Sequence, residues 1–206
     1  SKKSFGVGEC TDIPLLVDWA KQTGLKLIQL LPINDTTSTH TSKDSYPYGA
    51  ISAFALHPLY INIEKVAGKE YAHIIKPLKK KQKQLNELPV FDYEKVMQFK
   101  WAALKELYDA SKDVFKNDIN YFEFFELNRH WLVPYAAFCY LRDKYKTPDS
   151  SKWKSHKKYN EEAIQKLVSP SQKHYDEILF SYYVQYHLHL QLKEVADYAH
   201  AQKMVL

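Results

Sequence analysis

The sequence predicts an α/β unit at the start of the chain followed by a body that is mostly helical. Three observations carry this. TDIPLLVDWAKQTG reads as a helix closed by a glycine. KLIQLLP follows it as a short, almost continuous apolar run between Gly24 and Pro32. From about residue 66 onward, apolar residues recur at helical rather than strand spacing.

The first helix has Thr11 or Asp12 as its N-cap, Pro14 in its first turn and Gly24 where a helix-terminating glycine belongs. Leu15, Leu16, Trp19 and Ala20 form its apolar face. In the next run Leu27, Ile28, Leu30 and Leu31 leave almost no polar position, the pattern of a strand covered on both faces in a parallel sheet. Helix, glycine, buried strand and long polar loop together are an α/β signature. In such folds the loops that leave the C-terminal ends of the strands carry the ligand site. Residues 34–62, NDTTSTHTSKDSYPYGAISAFALHPLYIN, occupy that place.

Helical periodicity then runs near 69–84, 92–116, 119–144, 159–167 and 171–202. Val96, Phe99, Ala103, Leu104 and Leu107 make one stripe; Ile178, Tyr182, Tyr186, Leu190 and Val195 make another. Asp118, Asn120 and Ser169-Pro170 mark caps and breaks, and 146–158 is the most loop-like interior stretch. KKKQKQ at 79–84 is a solvated helix face. Val205 and Leu206 have the character of a further buried strand, and SKKSFGVGE has that of a loop. The expectation is a piece of a larger protein, divided as 1–65 (the βα portion with its loop), 66–185 (a helical subdomain) and 186–206 (a helix and the start of the next strand).

Composition narrows the function. The chain has 206 residues, 45% apolar and 15% aromatic, enough for a packed core. The net charge is +5, but only Arg129 and Arg142 are arginines, so the basic balance favours solubility over nucleic-acid binding. Cys10 and Cys139 match no metal spacing and form no disulfide framework, so a reducing, cytoplasmic setting is expected. No apolar run approaches the roughly 18 residues of a membrane span. His187 and His189 point to different helix faces, and Glu123, Glu126 and His130 lack a Glu-x-x-His pattern, so no metal is expected. Cys139 lies in AAFCYL as core, and FGVGE lacks the full phosphate-binding glycine pattern.

The remaining candidate is the 34–62 stretch. Asn34, Asp35, Asp44, Ser45, Tyr46 and Tyr48 combine hydroxyl-binding groups with aromatic faces, the mixture that suits a sugar ring. An ordinary loop whose tyrosines belong to the core would have the same composition.

The motifs are more specific than the composition. GVGECTDIPLLVDWAKQTGLKLIQLLPIND, DSYPYGAISAFALHPLYIN, VFDYEKVMQFK, FFELNRHWLVPYAAFCYLRDKY and QYHLHLQLKEVADYAH resemble the N-terminal part of the catalytic domain of the 4-α-glucanotransferases, the amylomaltase or disproportionating enzymes. Plant-type and Bacteroidetes-like members are the most similar branch. The resemblance implies a partial (β/α)₈ barrel with helical insertions. It also implies transfer of α-1,4-glucan segments between maltooligosaccharides or to glucose and glycan acceptors, without a cofactor. The implied mechanism is retaining, through a covalent glycosyl-enzyme on one carboxylate with a second as acid/base.

The family's Arg-Ile-Asp and Ala-Glu-Asp-Leu-Gly-like stretches, which hold those carboxylates, do not occur in this chain; no catalytic residue is assigned, and they are expected beyond Leu206. The Tyr of the family's Ser-Pro-Tyr matches Tyr48, while Ser45 and Tyr46 compete for its Ser position; Asn34, Asp35 and Asp44 are weaker candidates on the donor side. Cys10, where relatives carry Phe, is a packing change. The alternatives are a non-catalytic carbohydrate-binding or interaction module and a helical scaffold without a sugar role. A truncated barrel would also expose edges and apolar faces, so self-association is expected.

Overall fold

The computed structural model describes residues 3–206; the first two residues of the SKKSFGVGE loop lie outside the described residues. Among the described residues eight α-helices follow one another: α1 (Ile13–Gln22), α2 (Ile63–Ala67), α3 (Ala72–Ile75), α4 (Lys79–Asn86), α5 (Tyr93–Phe115), α6 (Ile119–Tyr145), α7 (Glu161–Leu167) and α8 (Tyr175–Ala201). Short 3₁₀ turns cover Cys10–Asp12, Ser42–Ser45, Pro58–Tyr60, Lys76–Leu78 and Ser150–Lys152. The molecule is mostly helical, as the periodicity predicts.

The long helices start where side chains replace the missing backbone partners. Asp92 caps α5 by accepting from the Lys95 amide at 3.0 Å. Asp118, predicted as a cap, accepts from the Asn120 amide at 2.9 Å at the start of α6. Asn62 and Asn160 cap α2 and α7 in the same way. Gly24 closes α1 at φ 81°, a left-handed conformation that a side chain resists.

α5, α6 and α8 bury the main core. Val96, Ala103, Leu104 and Leu107 of the predicted α5 stripe are buried against Ile178, Tyr182 and Tyr186 of the predicted α8 stripe. Leu190, expected on that face, is instead partly exposed. Phe115, Tyr121 and Tyr186 form an aromatic contact, with ring centroids 4.1 Å apart for Phe115 and Tyr121.

The N-terminal part departs from expectation. Residues 26–31 are extended but form no strand; among the described residues the only bridges are isolated ones, parallel Leu27–Val205 and antiparallel Asn34–Leu56. The Ile28 amide donates to Val205 O, and the Val205 amide donates to Lys26 O, both at 2.9 Å. Val205 therefore pairs as a strand residue would, but two bonds do not make a ladder. Ile28 is buried, whereas Leu27 and Leu31 are 60% and 61% exposed, so the run is covered on one face rather than two. α1 is rotated from its expected face. Val17 and Ala20 pack with Ile28, Ala199 and Met204 in a second small core, while Leu15, Leu16 and Trp19 are exposed.

A buried ion pair fastens this part to the helices. The Lys100 ammonium of α5 is fully buried and donates to Glu9 Oε1 at 2.6 Å, Leu59 O at 2.6 Å and Ile61 O at 2.8 Å. Its three protons thus have three acceptors. Glu9 also accepts from Asn62 Nδ2 at 2.7 Å and the Phe5 amide at 3.2 Å. Burial pushes the Glu9 carboxyl up and the Lys100 ammonium down, and each is pulled back by the other's charge. Gly6 has φ 79°, and a Cβ added there would stand 3.0 Å from Leu85 Cβ, so a side chain would collide.

Two outcomes follow for stability. Lys100→Met leaves the Glu9 charge and two carbonyls unpaired, and urea unfolding is expected to show a loss of about 3–5 kcal/mol. The double variant with Glu9→Gln recovers part of that loss, and a single-variant loss under about 1 kcal/mol would mean that the pair fastens nothing. His187 of α8 titrates at about 4, because burial against the Tyr183 and Tyr186 rings disfavours its charged form, with Asp118 partly opposing. A folded value below the ordinary 6.5 means that the unfolded chain takes up the proton first. Stability is therefore full above about 6.5 and falls as pH drops toward about 4, and His187→Gln flattens that fall in a pH series of melting curves.

Candidate functional site

The 34–62 stretch lies against α5, α6 and α8 and is held by side chains from all three. Its backbone first folds on itself: the Asp35 amide donates to Ala55 O, and the Ile51 amide donates to Asp35 O, each at 2.8 Å. Asn34 Nδ2 donates to Ala53 O at 2.9 Å. These bonds close a loop whose tip carries SYPY.

The acidic residues of the loop face inward. Asp35 is buried and accepts from the Thr37 amide at 2.9 Å, the Thr37 hydroxyl at 2.6 Å and the Tyr135 hydroxyl of α6 at 2.7 Å. Burial, reinforced by the Asp35 charge, holds the Tyr135 hydroxyl well above its ordinary value, so it remains a donor. Asp44 is also buried and accepts from the amides of Thr39 at 2.9 Å and His40 at 2.6 Å. Thr36 donates to the Asp44 carbonyl. The Ser, Thr and Asp residues that make the stretch look solvated thus satisfy its own turns.

α6 adds a clamp. Arg142 is buried; it donates to Asp143 Oδ1 at 2.8 Å and Oδ2 at 3.0 Å, and to the Thr37 carbonyl. Asp143 in turn bonds His40 Nε2 at 2.7 Å. Partial burial works to raise the Asp143 carboxyl, but the bonds from His40 and Arg142 overcome it and hold it at about 2. His40 sits at φ 58°, a left-handed conformation kept by bonds at both its amide and its ring.

α8 grips the far arm through two glutamines. Gln185 Oε1 accepts from the Leu56 amide at 2.9 Å, and its Nε2 donates to Leu56 O at 2.8 Å. Gln191 does the same for Asn62, at 2.8 and 2.9 Å. Each amide stands in for a neighbouring strand. His57 is buried between them, accepting from the Leu59 amide at 3.1 Å and meeting the Tyr93 hydroxyl at 3.2 Å. Burial pushes its imidazole below the ordinary value, against the pull of Asp35.

On this base stand the two exposed tyrosines. Tyr46 is 63% and Tyr48 is 62% exposed, with ring centroids 5.5 Å apart at 56°. The Gly49 amide donates to Tyr46 O at 3.2 Å, so the rings flank a tight turn around Pro47. Ser45 donates to Ser42 O at 2.7 Å, and the Ser42 amide donates to Glu94 of α5 at 2.9 Å. Of the six residues singled out in the sequence, the structure leaves Ser45, Tyr46 and Tyr48 exposed, the Ser45 hydroxyl being bonded to Ser42 O. Asn34, Asp35, Asp44 and Ser45 use their side chains inside the loop.

Arg142, Asp143, Gln185 and Gln191 were not among the sequence candidates. Their only signal is polarity at helix positions that the periodicity makes internal. Both thiols are buried and inert, Cys10 raised to about 11 and Cys139 to about 12 by burial. Among the described residues no group of three or more His, Cys, Asp or Glu could hold a metal ion, and no helix is long and apolar enough to cross a membrane.

A family model described as 4-alpha-glucanotransferase matches residues 1–206. The chain is 42% identical over 206 residues to the 4-alpha-glucanotransferase DPE2 of Oryza sativa subsp. japonica, covering all of this chain and 22% of that protein. It is 32% identical over 210 residues to a 4-alpha-glucanotransferase of Chlamydia pneumoniae, of which it covers 38%. Its fold superposes on the amylomaltase of Streptococcus agalactiae in complex with acarbose with a TM-score of 0.76 at 20% identity, over 98% of this chain and 39% of that one. The chain therefore spans well under half the length of the relatives it matches. By its sequence over the whole of its length, the chain belongs to the 4-alpha-glucanotransferase family.

Proposed function

We propose that this chain forms one wall of the glucan site of an enzyme that transfers α-1,4-glucan segments between maltooligosaccharides or to glucose and glycan acceptors. The observation that carries the reading is the Tyr46–Tyr48 pair, exposed on a loop that α5, α6 and α8 hold rigid, in a chain of this family. Aromatic rings exposed at a fixed angle offer a glucosyl ring its apolar face. Their hydroxyls remain free for its polar edge.

In this reading Tyr48 contacts the sugar at the cleavage point and Tyr46 flanks it. Asn34, Asp35, Asp44 and Ser45 act by fixing the loop that presents them. The bond-making carboxylates, about 5–5.5 Å apart for a retaining reaction, come from outside residues 1–206. The wall's contribution is positioning: it holds the donor so that the glycosyl carbon meets the nucleophile and an acceptor sugar displaces water.

The parallel Leu27–Val205 bridge supports placing residues 26–31 and 204–206 as neighbouring strands of a (β/α)₈ barrel, with the helical body inserted between them. The family supports a catalytic parent over a non-catalytic module. A soluble, cytoplasmic setting fits the two unpaired cysteines.

Three measurements test this. The purified 206-residue chain is expected to show no disproportionation of maltotriose by chromatography, and turnover would overturn the reading. In the complete enzyme Tyr48→Ala is expected to lower kcat/KM by about 10²-fold, whereas a change under about threefold would mean that Tyr48 only packs. Leu15, Leu16, Trp19, Leu27 and Leu31 are exposed, so the chain alone is expected to self-associate; a concentration-independent monomer in sedimentation counts against this.

A further inference from the structure

The positive charge of the chain is concentrated at one place. Residues 144–158, KYKTPDSSKWKSHKK, hold six lysines and one aspartate. The whole chain has 29 Lys and Arg against 24 Asp and Glu, so 23 of each remain outside this stretch, and the entire net charge of +5 sits within it. The next acids, Glu161 and Glu162, stand in the first turn of α7, whose amides offset part of their charge.

The stretch is a folded loop. Trp153 is buried, its ring packed against Tyr145 and Phe138 with centroids 6.1 and 5.8 Å away. Its indole N–H donates to Thr147 O at 2.8 Å, and its amide donates to Ser150 O at 3.1 Å. The Ser150 hydroxyl donates to Lys157 O at 3.2 Å. Lys146 and His156 take left-handed backbone, φ 56° and 61°, which residues other than glycine keep only where their surroundings enforce it. Trp153 is extended and turned inward, so Lys152 and Lys154 on either side of it turn outward. All six lysines are exposed.

The one acid of the loop is already used. Asp149 accepts from the Ser151 amide at 3.1 Å and hydroxyl at 2.6 Å, and pairs with Lys152 at 3.4 Å. Lys146, Lys154, Lys157 and Lys158 have no ion-pair partner among the described residues. Lys144 lies only against the Tyr140 and Tyr145 rings, at 5.4 and 5.9 Å. The Tyr145 hydroxyl registers this charge: it is held below its ordinary value first by its bond with Ser155, then by Lys144 and Lys154.

Five unneutralised ammonium groups on a fixed loop of an otherwise neutral chain select an anionic partner. A nucleic acid is held best by arginine forks and exposed aromatic faces, but this loop has no arginine and its tryptophan is inside. A lipid surface is held firmly only with a second signal such as an inserted apolar ring, and again the ring is turned inward. A carboxylate asks only for a point charge, which a lysine is, and a flexible chain can follow ammonium groups spread along a loop. We propose that residues 144–158 are a docking surface for an acidic, flexible segment of a partner protein, whose Asp and Glu side chains pair with Lys144, Lys146, Lys154, Lys157 and Lys158. The surface does not include Tyr46 or Tyr48 and stands independently of the function proposed above.

Fluorescence anisotropy on the 206-residue chain tests it, with a labelled peptide of alternating glutamate and serine as the probe. The glutamine counterpart of that peptide, a single-stranded DNA of equal charge, and vesicles of phosphatidylcholine and phosphatidylserine are the comparisons. The glutamate peptide is expected to bind more tightly than all three. Raising salt from about 0.1 M to about 1 M, which shortens the screening length from about 10 Å to about 3 Å, is expected to abolish the binding. Joint Lys154→Glu, Lys157→Glu and Lys158→Glu reversal is expected to weaken it at least about tenfold, and Arg at the same three positions to preserve it. Lys80→Glu with Lys81→Glu, in the basic run of α4, is expected to leave it unchanged. These lysines are all exposed, and melting temperatures confirm that the variants fold. No peptide binding at low salt, equal binding by the glutamine peptide, tighter binding of DNA or vesicles, an unaffected triple reversal, or an equal loss in the α4 variant overturns the proposal.

Discussion

The buried Glu9–Lys100 pair is the constraint on which the arrangement depends. It joins three distant parts of the chain at one point: the N-terminal segment through Glu9, helix α5 through Lys100, and the 57–62 arm through the carbonyls of Leu59 and Ile61. Taking two charges out of water costs several kcal/mol per ion, and good geometry only offsets that cost. What such a pair supplies is uniqueness. An ammonium has three directed donors, and here each has one acceptor, so only one register of the arm against α5 satisfies all of them. Apolar packing alone would permit neighbouring registers at small cost. Asn62 extends the constraint, giving its side-chain amide to Glu9 and its backbone to Gln191 of α8.

From that anchor the loop is built outward by polar groups that are almost all consumed internally. Gln185 and Gln191 hold the arm at two residues, Arg142 holds the near side at Thr37, and Tyr135 holds Asp35. Helix side chains supply hydrogen bonds that a neighbouring strand would otherwise supply, at Leu56, Asn62 and Thr37, so a long irregular segment can lie against a helical core. Binding sites need their contact groups fixed within a fraction of an ångström, and rigid helices achieve this better than a free loop.

Helices were the legible part of the sequence. A stripe such as Val96, Ala103, Leu104 and Leu107 repeats over many turns and reports one face directly. Pro14, Gly24 and Asp118 marked real boundaries because each acts within one turn. The apolar run at 26–31 was misleading as to burial. An apolar composition records what a segment is suited to pack against, and in this structure α8 and Val205 cover only one face of it. α1 shows the same effect, since four apolar residues fit one helical face while packing selected Val17 and Ala20. At the loop, composition singled out Tyr46 and Tyr48, and the structure leaves both rings exposed. It could not separate acids that face a ligand from acids that cap turns, because Asp35 and Asp44 are chemically the same as any sugar-binding aspartate. Arg142 was invisible for a related reason: one arginine in a helix has no spacing to analyse, and its role depends on a partner 105 residues away.

The inward turning of the acids has a chemical sense. A retaining transfer needs two carboxylates whose environments differ, one ionised and one holding a proton. Further free carboxylates beside the sugar would raise the cost of ionising the nucleophile. A loop that spends Asp35 and Asp44 on its own amides and on Tyr135 presents to solvent two phenol rings and neutral hydroxyls, and little formal charge. Under the function proposed above, such a wall would orient glucosyl rings without disturbing titrations that must be set elsewhere. The dense polar run next to so many aromatic residues is thus one device: its polar groups fold the loop, and folding the loop leaves the aromatic ones outside.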